Sequence, residues 1–200
     1  VSFSTSISFN ATIKSGNKKT NPNCRILAID ENYFTVSGTE LAYGRNFSPS
    51  EAASGSKQAI IGKDIATQLF NKENVIDQTI NIANAQYNVI GVLKSKGSSM
   101  GMGGEDRVAY ITNTEARGRF LSSENSFNIS VAVNDVKQLD MAVSEAEGTM
   151  RNIRRLRAGA DNNFSVTKSE SVTEKLKENL SSLKFAAIFI AAITLLGAAI

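Results

Sequence analysis

The sequence predicts an α+β fold, and three patterns carry that prediction. Residues 2–13 and 127–134 alternate apolar and polar side chains, the two-residue period of a strand with one face covered. Residues 63–70 and 136–156 instead repeat apolar side chains three and four apart, the period of a helix with one apolar stripe. The last sixteen residues, 185–200 (FAAIFIAAITLLGAAI), carry no charge and follow a charged, helix-like stretch at 174–184 (EKLKENLSSLK).

Taken in order, Phe3, Thr5, Ile7 and Phe9 alternate with Ser4, Ser6, Ser8 and Asn10, which predicts the first strand. Residues 15–23 (SGNKKTNPN) have the composition of a loop. A short strand at 25–29 leads into a turn or short helix at 30–34. Ser48-Pro49-Ser50-Glu51 starts a helix: Ser48 caps, Pro49 suits the first helical position and Glu51 completes a capping box. Residues 58–61 form a buried strand and 63–70 an amphipathic helix with Ile65, Ala66 and Leu69 on one side. Residues 79–82 and 87–93 make a hairpin around Ala83-Asn84-Ala85. Residues 97–104 form a flexible, glycine-rich loop, and 107–111 another strand.

Residues 127–133 predict a half-buried strand. The helix after it carries Val136, Leu139, Val143, Ala146, Met150, Ile153 and Leu156 as a single stripe over about six turns. Asp135, Asp140, Glu145 and Glu147 occupy its first half and Arg151, Arg154, Arg155 and Arg157 its second, an order that complements the helix dipole without an anionic ligand. Gly159 is expected to stop it, and 164–167 to add a strand, giving a strand–helix–strand unit. Ser171-Val172-Thr173-Glu174 is a capping box for a last helix, whose stripe is Val172, Leu176, Leu180 and Leu183. That stripe runs into 185–200 with no Gly or Pro before Gly197. At about 1.5 Å per residue the apolar run covers ~24 Å, short of the ~30 Å hydrocarbon core. The expectation is the start of a transmembrane helix; the alternative is a buried C-terminal core helix.

Composition excludes several functions. The chain has 200 residues, 20% charged and 42% hydrophobic, with net charge +3. The basic residues are scattered, so nucleic acid is not expected as a partner. Histidine is absent and Cys24 is the sole cysteine, which removes Ser-His-Asp and Cys-His catalysis, cysteine-rich zinc sites and an internal disulfide. The stretch from Gly55 to Gly62-Lys63-Asp64 has six residues between its glycines where a phosphate loop has four, and Asp64 would repel phosphate. Gly101 to Gly104 precede a strand and offer no helix N-terminus; Met100 and Met102 in that loop are adaptable apolar contacts for a partner. Asp30-Glu31 and Glu105-Asp106 are adjacent pairs whose members point to opposite faces of a strand, so neither makes an acid–base or metal site. No catalytic, cofactor or metal residue emerges.

From Arg25 onward the order of motifs resembles the MacB-like periplasmic core domain of bacterial ABC-transporter permeases of the FtsX-like, mechanotransmitting type. Its carriers are ILAIDENYFTV (26–36), LAYGRNFSPSEA (41–52), QAIIGKDIATQLF (58–70), YNVIGVLKSKG (87–97) and FNISVAV (127–133). Thr112 stands where many members have proline, and the arginine-rich helix end lacks a histidine often found there. The resemblance implies structural roles: Tyr33 and Phe34 as core anchors, Gly44 and Arg45 with Phe47 as a tight turn beside a hydrogen-bonding arginine, Gly62 opening a helix, and Gly91 where the hairpin packs closely.

It also implies a porter-like, discontinuous subdomain (1–23 and 121–170), an inserted α/β subdomain (24–120), a stalk helix (171–184) and the start of a membrane helix (185–200). The implied partners are a second permease copy, a cytoplasmic ATPase domain or subunit, and a periplasmic adaptor with an outer-membrane channel. The implied location is the extracytoplasmic side of the bacterial inner membrane, and the implied function is transmission of ATP-driven motion during export. Lipoprotein release and FtsX-like regulation of cell-wall hydrolases are the alternatives. The domain itself is expected to be no enzyme and to bind no cofactor.

Overall fold

Ten strands and five α-helices are seen in the computed structural model, which describes residues 1–95, 104–121 and 125–168. They fall into two compact units, Val1–Ala132 and Val133–Ile200. The strands of the first unit are β1 (Ser2–Ala11), β2 (Ile13–Ser15), β3 (Lys18–Lys19), β4 (Cys24–Ile29), β5 (Leu41–Gly44), β6 (Gln58–Ile61), β7 (Thr79–Ile82), β8 (Ala85–Leu93), β9 (Val108–Thr112) and β10 (Asn128–Ser130). Its helices are α1 (Tyr33–Ser37), α2 (Pro49–Ser54), α3 (Lys63–Phe70) and α4 (Asn113–Arg119).

All ten strands join one mixed sheet in the order β10-β1-β4-β9-β6-β8-β7-β2-β3, with β5 on β8. The pairs β4–β9 and β6–β8 are parallel and the others antiparallel. Only Thr12 separates β1 from β2, yet six strand spacings lie between them in the sheet. A flat sheet would hold them ~29 Å apart, whereas Ala11 and Ile13 are within ~7 Å. The sheet therefore curls until its two ends nearly meet.

Alternation along the central strands sorts the core into two clusters. Cys24, Ile26 and Ala28 of β4, Ala59 and Ile61 of β6, and Ala109 and Ile111 of β9 face one side, where Ile65, Ala66 and Leu69 of α3 and Ala116 of α4 cover them. Ile29, Ile60, Val108 and Tyr110 face the other, with Phe34, Phe47, Ile90 and Leu93. A register shift where Ile60 meets Gly91 flips the parity of β8, so Val89 and Val92 share the first face and Ile90 and Leu93 the second.

Local chemistry sets the element ends. The α2 capping box forms as the sequence predicts, with Ser48 Oγ accepting from Glu51 N and the Glu51 carboxylate accepting from Ser48 N. The β7–β8 turn is Ala83-Asn84, with φ of 47° and 66°, the two positive values that a two-residue type I′ hairpin requires; Ala85 already belongs to the strand. Lys18 and Lys19, inside the expected loop, pair with β2 instead.

Four expectations are corrected. β10 is short and exposed where a half-buried strand was expected: Phe127, Ile129 and Val131 are 39%, 58% and 51% exposed. It is an edge strand whose ladder is shared with β1. In β1 the covering does not follow the alternation. Ser2, Ser4 and Thr5 are buried, while Phe3 and Phe9 are exposed; Ser4 lies opposite Ile29 of the second cluster and Thr5 opposite Ala28 of the first, so the start of the strand is covered on both faces. In the second unit, a 3-10 turn (Val136–Gln138) precedes α5 (Leu139–Ile153), which ends before Gly159. Arg155 already has φ of 52°, and Leu156 N closes the helix end by donating to the Arg151 carbonyl at 3.0 Å; the Arg151 guanidinium donates to the carbonyls of Arg157 and Ala160 in the segment that follows, at 3.0 and 2.9 Å. Residues 164–167 form no strand and join no ladder. Among the described residues no helix is long and apolar enough to cross a membrane; residues 171–200, with the expected stalk and apolar run, lie outside them.

Candidate partner-contact surface

β8 ends at Leu93 and β9 begins at Val108, so residues 94–95 and 104–107 flank the methionine-containing segment and form its base. Polar contacts hold both sides of that base. Lys94 N donates to the Glu40 carbonyl at 2.9 Å, and its ammonium pairs with the Glu40 carboxylate at 2.6 Å. Ser95 Oγ donates to Asp106 Oδ2 at 2.9 Å, directly joining the outgoing and returning limbs. Thr39 Oγ1 donates to Glu105 Oε1 at 3.2 Å, and Arg107 Nε to Asp64 Oδ2 of α3 at 3.1 Å. The carboxylates of Glu105 and Asp106, which lie in a 3-10 turn (Glu105–Arg107) and not on a strand, serve this base.

Gly62 lies directly beneath it. Gly62 N donates to the Val108 carbonyl at 2.8 Å, and a Cβ at Gly62 would stand 2.3 Å from the Asp106 carbonyl oxygen. Glycine is required there by space, since its φ of −72° suits any residue. A surface recess of about 210 Å³ adjoins the base, lined in part by Tyr43, Lys63, Glu73, Lys94 and Ser95, with Lys63 and Glu73 ion-paired at 2.8 Å.

The other residues singled out from sequence gather around β8. Gly44 of β5 lies opposite Gly91. A Cβ on Gly44 would come within 2.1 Å of the Ile90 carbonyl oxygen, and one on Gly91 within 2.8 Å of the Arg45 carbonyl oxygen. Gly44 also has φ of 79°, in the left-handed region that disfavours a side chain. The two main chains touch there, and Arg45 N donates to the Ile90 carbonyl at 3.0 Å. The Arg45 guanidinium then grips both Glu51 oxygens at 2.6 and 2.7 Å, holding that carboxyl far below the usual carboxylate range despite its partial desolvation. Phe47 and Phe34 are buried in the second core cluster, and Tyr33 packs on Tyr110 and Phe34 with ring centroids 5.7 Å from each. Burial, and then the nearby Glu105 carboxylate, raise the Tyr33 hydroxyl above its ordinary value.

Met100 and Met102 lie outside the described residues, as do Val172, Leu176, Leu180 and Leu183. Among the described residues no group of three His, Cys, Asp or Glu side chains stands close enough to share a metal ion. Sequence reasoning passed over a polar cluster at the start of β1, made by Ser2, Asp30 and Asn113. Its one visible signal was an Asp directly after an apolar strand.

Comparison with known proteins bears on this arrangement. The family model for the MacB-like periplasmic core domain matches residues 1–149. A macrolide export ATP-binding/permease protein MacB of Marinobacter nauticus is 30% identical over 153 residues, covering 76% of this chain and 23% of that protein. A pyoverdine export ATP-binding/permease protein PvdT of Pseudomonas entomophila is 27% identical, covering 76% and 23%. The chain thus spans about a quarter of the length of these relatives. The crystal structure of the periplasmic region of MacB from Actinobacillus actinomycetemcomitans has the same fold, with a TM-score of 0.65 at 14% identity, covering 88% of this chain and 75% of that one. The extracellular domain of the noncanonic ABC-type transporter YknZ from Gram-positive bacteria gives a TM-score of 0.61 at 21% identity, covering 78% and 76%.

Proposed function

Because this chain belongs to the MacB-like periplasmic core domain family, we propose that it is the extracytoplasmic part of an ABC-transporter permease that passes ATP-driven motion across the inner membrane to drive export. The observation that carries this reading is the family match over residues 1–149. The names of the relatives, which are export ATP-binding/permease proteins, support it.

In this reading the permease works as a pair of copies. A cytoplasmic ATPase domain or subunit hydrolyses ATP, and a periplasmic adaptor with an outer-membrane channel receives the substrate. The work of the domain is mechanical. Its curled sheet is a stiff body, because the glycine contact between β5 and β8 and the Arg45–Glu51 clasp lock neighbouring elements together. The segment between Ser95 and Gly104, with Met100 and Met102, stands on a braced base and is the proposed adaptor contact. Residues 121–170 with 1–23 form the porter-like part, 24–120 the insertion, and 171–184 the stalk with Val172, Leu176, Leu180 and Leu183 as its packed stripe.

The test is the continuity of that stalk. Replacing Ser181 and Ser182 by Gly-Gly costs roughly 1 kcal/mol of helix propensity in all, too little to unfold the domain but enough to place a hinge. In the full-length transporter, export should be lost with ATPase activity retained, while Ala-Ala at the same positions is silent. Normal export by the Gly-Gly variant would show that the segment transmits nothing. In the same strains, Met100→Ser with Met102→Ser should weaken capture of the adaptor without lowering ATPase activity; undiminished capture removes those residues from the contact.

A further inference from the structure

β1 begins before its neighbour does. Its pairing with β4 starts at Ser4 opposite Ile29, which is the last residue of β4. Phe3 has no main-chain partner from β4, yet both its polar main-chain groups are bonded. Its N–H donates to Asp30 Oδ2 at 3.1 Å, and its carbonyl accepts from Asn113 Nδ2 at 3.3 Å. Ser2 Oγ donates to the other carboxylate oxygen, Asp30 Oδ1, at 2.6 Å.

Asp30 follows the end of β4, and Asn113 follows the end of β9, the next strand in the sheet and parallel to it. A carboxylate and an amide therefore replace one rung of the ladder and tie β1 to two strands at once. On the opposite edge β10 pairs with Ser2, Phe3 and Ser4, and Thr5 Oγ1 donates to the Ser126 carbonyl at 2.6 Å.

Burial separates this arrangement from an ordinary strand end. The first residues of a strand commonly fray unless something ties them down. Here Ser2 is 0% exposed, Asp30 7% and Asn113 6%. An ionised carboxylate this deep is costly unless donors satisfy it, and Asp30 receives a hydroxyl and an amide on its two separate oxygens.

We propose that Asp30 and Asn113 form a side-chain latch that fixes the N-terminal end of β1 to the centre of the sheet, so that displacement entering at Val1 moves β4 and β9 together with β1. Without the latch, the same displacement would fall first on the single ladder position at Ser4 and peel β1 away. The latch rests on the transport reading for the source of that displacement.

Amide hydrogen exchange on the 200-residue chain tests the latch directly. Asp30→Ala should speed exchange of the Phe3 amide at least tenfold, while the Ala28 and Tyr110 amides change less than twofold. Ser2→Ala removes one of the two Asp30 contacts and should speed Phe3 about threefold, so the proposal stays testable if Asp30→Ala fails to fold. A Phe3 amide that exchanges no faster than Ala28 and Tyr110 in the foldable variant overturns it. In the full-length transporter Asp30→Ala should lower export with ATPase activity retained; a freed Phe3 amide with normal export overturns the latch as a transmitting element. The transport reading fails separately, if the Gly-Gly stalk variant exports normally while the exchange result stands.

Discussion

Gly62→Ala isolates the packing beneath the loop base from every other effect of a glycine. The backbone at Gly62 has φ of −72° and ψ of 157°, which alanine adopts freely. Were the site open, the substitution would stabilise the chain by about 0.4–1 kcal/mol, because alanine restricts the unfolded ensemble. The site is closed. The added carbon would lie 2.3 Å from the Asp106 carbonyl oxygen, 2.4 Å from its carbonyl carbon and 2.5 Å from the Glu105 carbonyl oxygen. Ordinary heavy-atom contacts lie near 3.5 Å, so main chain must move by about 1 Å, and no rotamer change relieves a backbone atom.

Overpacking of this kind costs about 1–3 kcal/mol, and a backbone obstacle places it near the upper end. Subtracting the entropic gain leaves a net loss of about 2 kcal/mol. For a chain of this length that is about 4–8 °C in Tm. Urea unfolding measures it against Gly118→Ala, a position inside α4 with nothing within 4 Å of the added carbon, expected to gain about 0.5 kcal/mol. Displacing Asp106 also strains its bond from Ser95, so trypsin should cut faster at Lys96 in the Gly62 variant at temperatures well below unfolding. A Gly62→Ala protein as stable as wild type, or more so, would refute the steric argument.

Two pH-dependent effects follow from named groups. The Glu51 carboxyl is held low chiefly by the Arg45 hydrogen bonds, so its contribution is present above the unfolded value of about 4.3 and lost as pH falls toward the lower folded value. Arg45→Ala, acting on a half-exposed pair, should cost about 1 kcal/mol at pH 7 and progressively less below about pH 4; a gap that stays constant down to pH 2.5 contradicts it. At the alkaline end, burial raises the hydroxyls of Tyr87, Tyr110 and Tyr33, with Glu115 adding to the shift at Tyr87. Groups raised in the folded state stabilise it below the unfolded value of about 10, and that stability is lost as pH climbs further; tyrosinate absorbance from these three should therefore grow together with loss of far-ultraviolet ellipticity, and titration without unfolding counts against it.

The sequence was most legible where one local rule acts alone. Ser48 with Glu51, the α3 stripe and the apolar run Ala59-Ile60-Ile61 each specify their element without help from distant residues, and each forms as read. It was least legible where pairing decides. The alternation at 2–13 marks a strand, but its covering is set by distant elements, and Ser2, Ser4 and Thr5 are buried while Phe3 and Phe9 are exposed. The same period at 127–133 marks a strand, yet burial needs a layer on top, and only three of those residues join a ladder. Residues 164–167 have strand-forming side chains and no ladder to enter. Helix α5 ends early where Arg155 turns left-handed and Leu156 N bonds back to the Arg151 carbonyl, a break that no periodicity reveals.

The glycines and the polar cluster show why a fold held by close main-chain contacts hides its working parts from motif searches. Catalysis concentrates unusual side chains at one place, and those leave a signature of residue types and spacings. Stiffness is instead distributed, and here it depends on side chains that are missing. Gly44, Gly62 and Gly91 each admit a main-chain carbonyl into the space a Cβ would fill. Each contact joins segments far apart in sequence, with Gly62 meeting Asp106 and Gly44 meeting Ile90. Asp30 performs the complementary task of completing a ladder that the main chain leaves one rung short. A carboxylate adjacent to another at Glu31 invites comparison with an acid–base pair, and its two bonds to Ser2 and Phe3 show that its work is done on the fold itself. In such a domain the informative substitution is the one that changes how two elements move together while leaving each element intact.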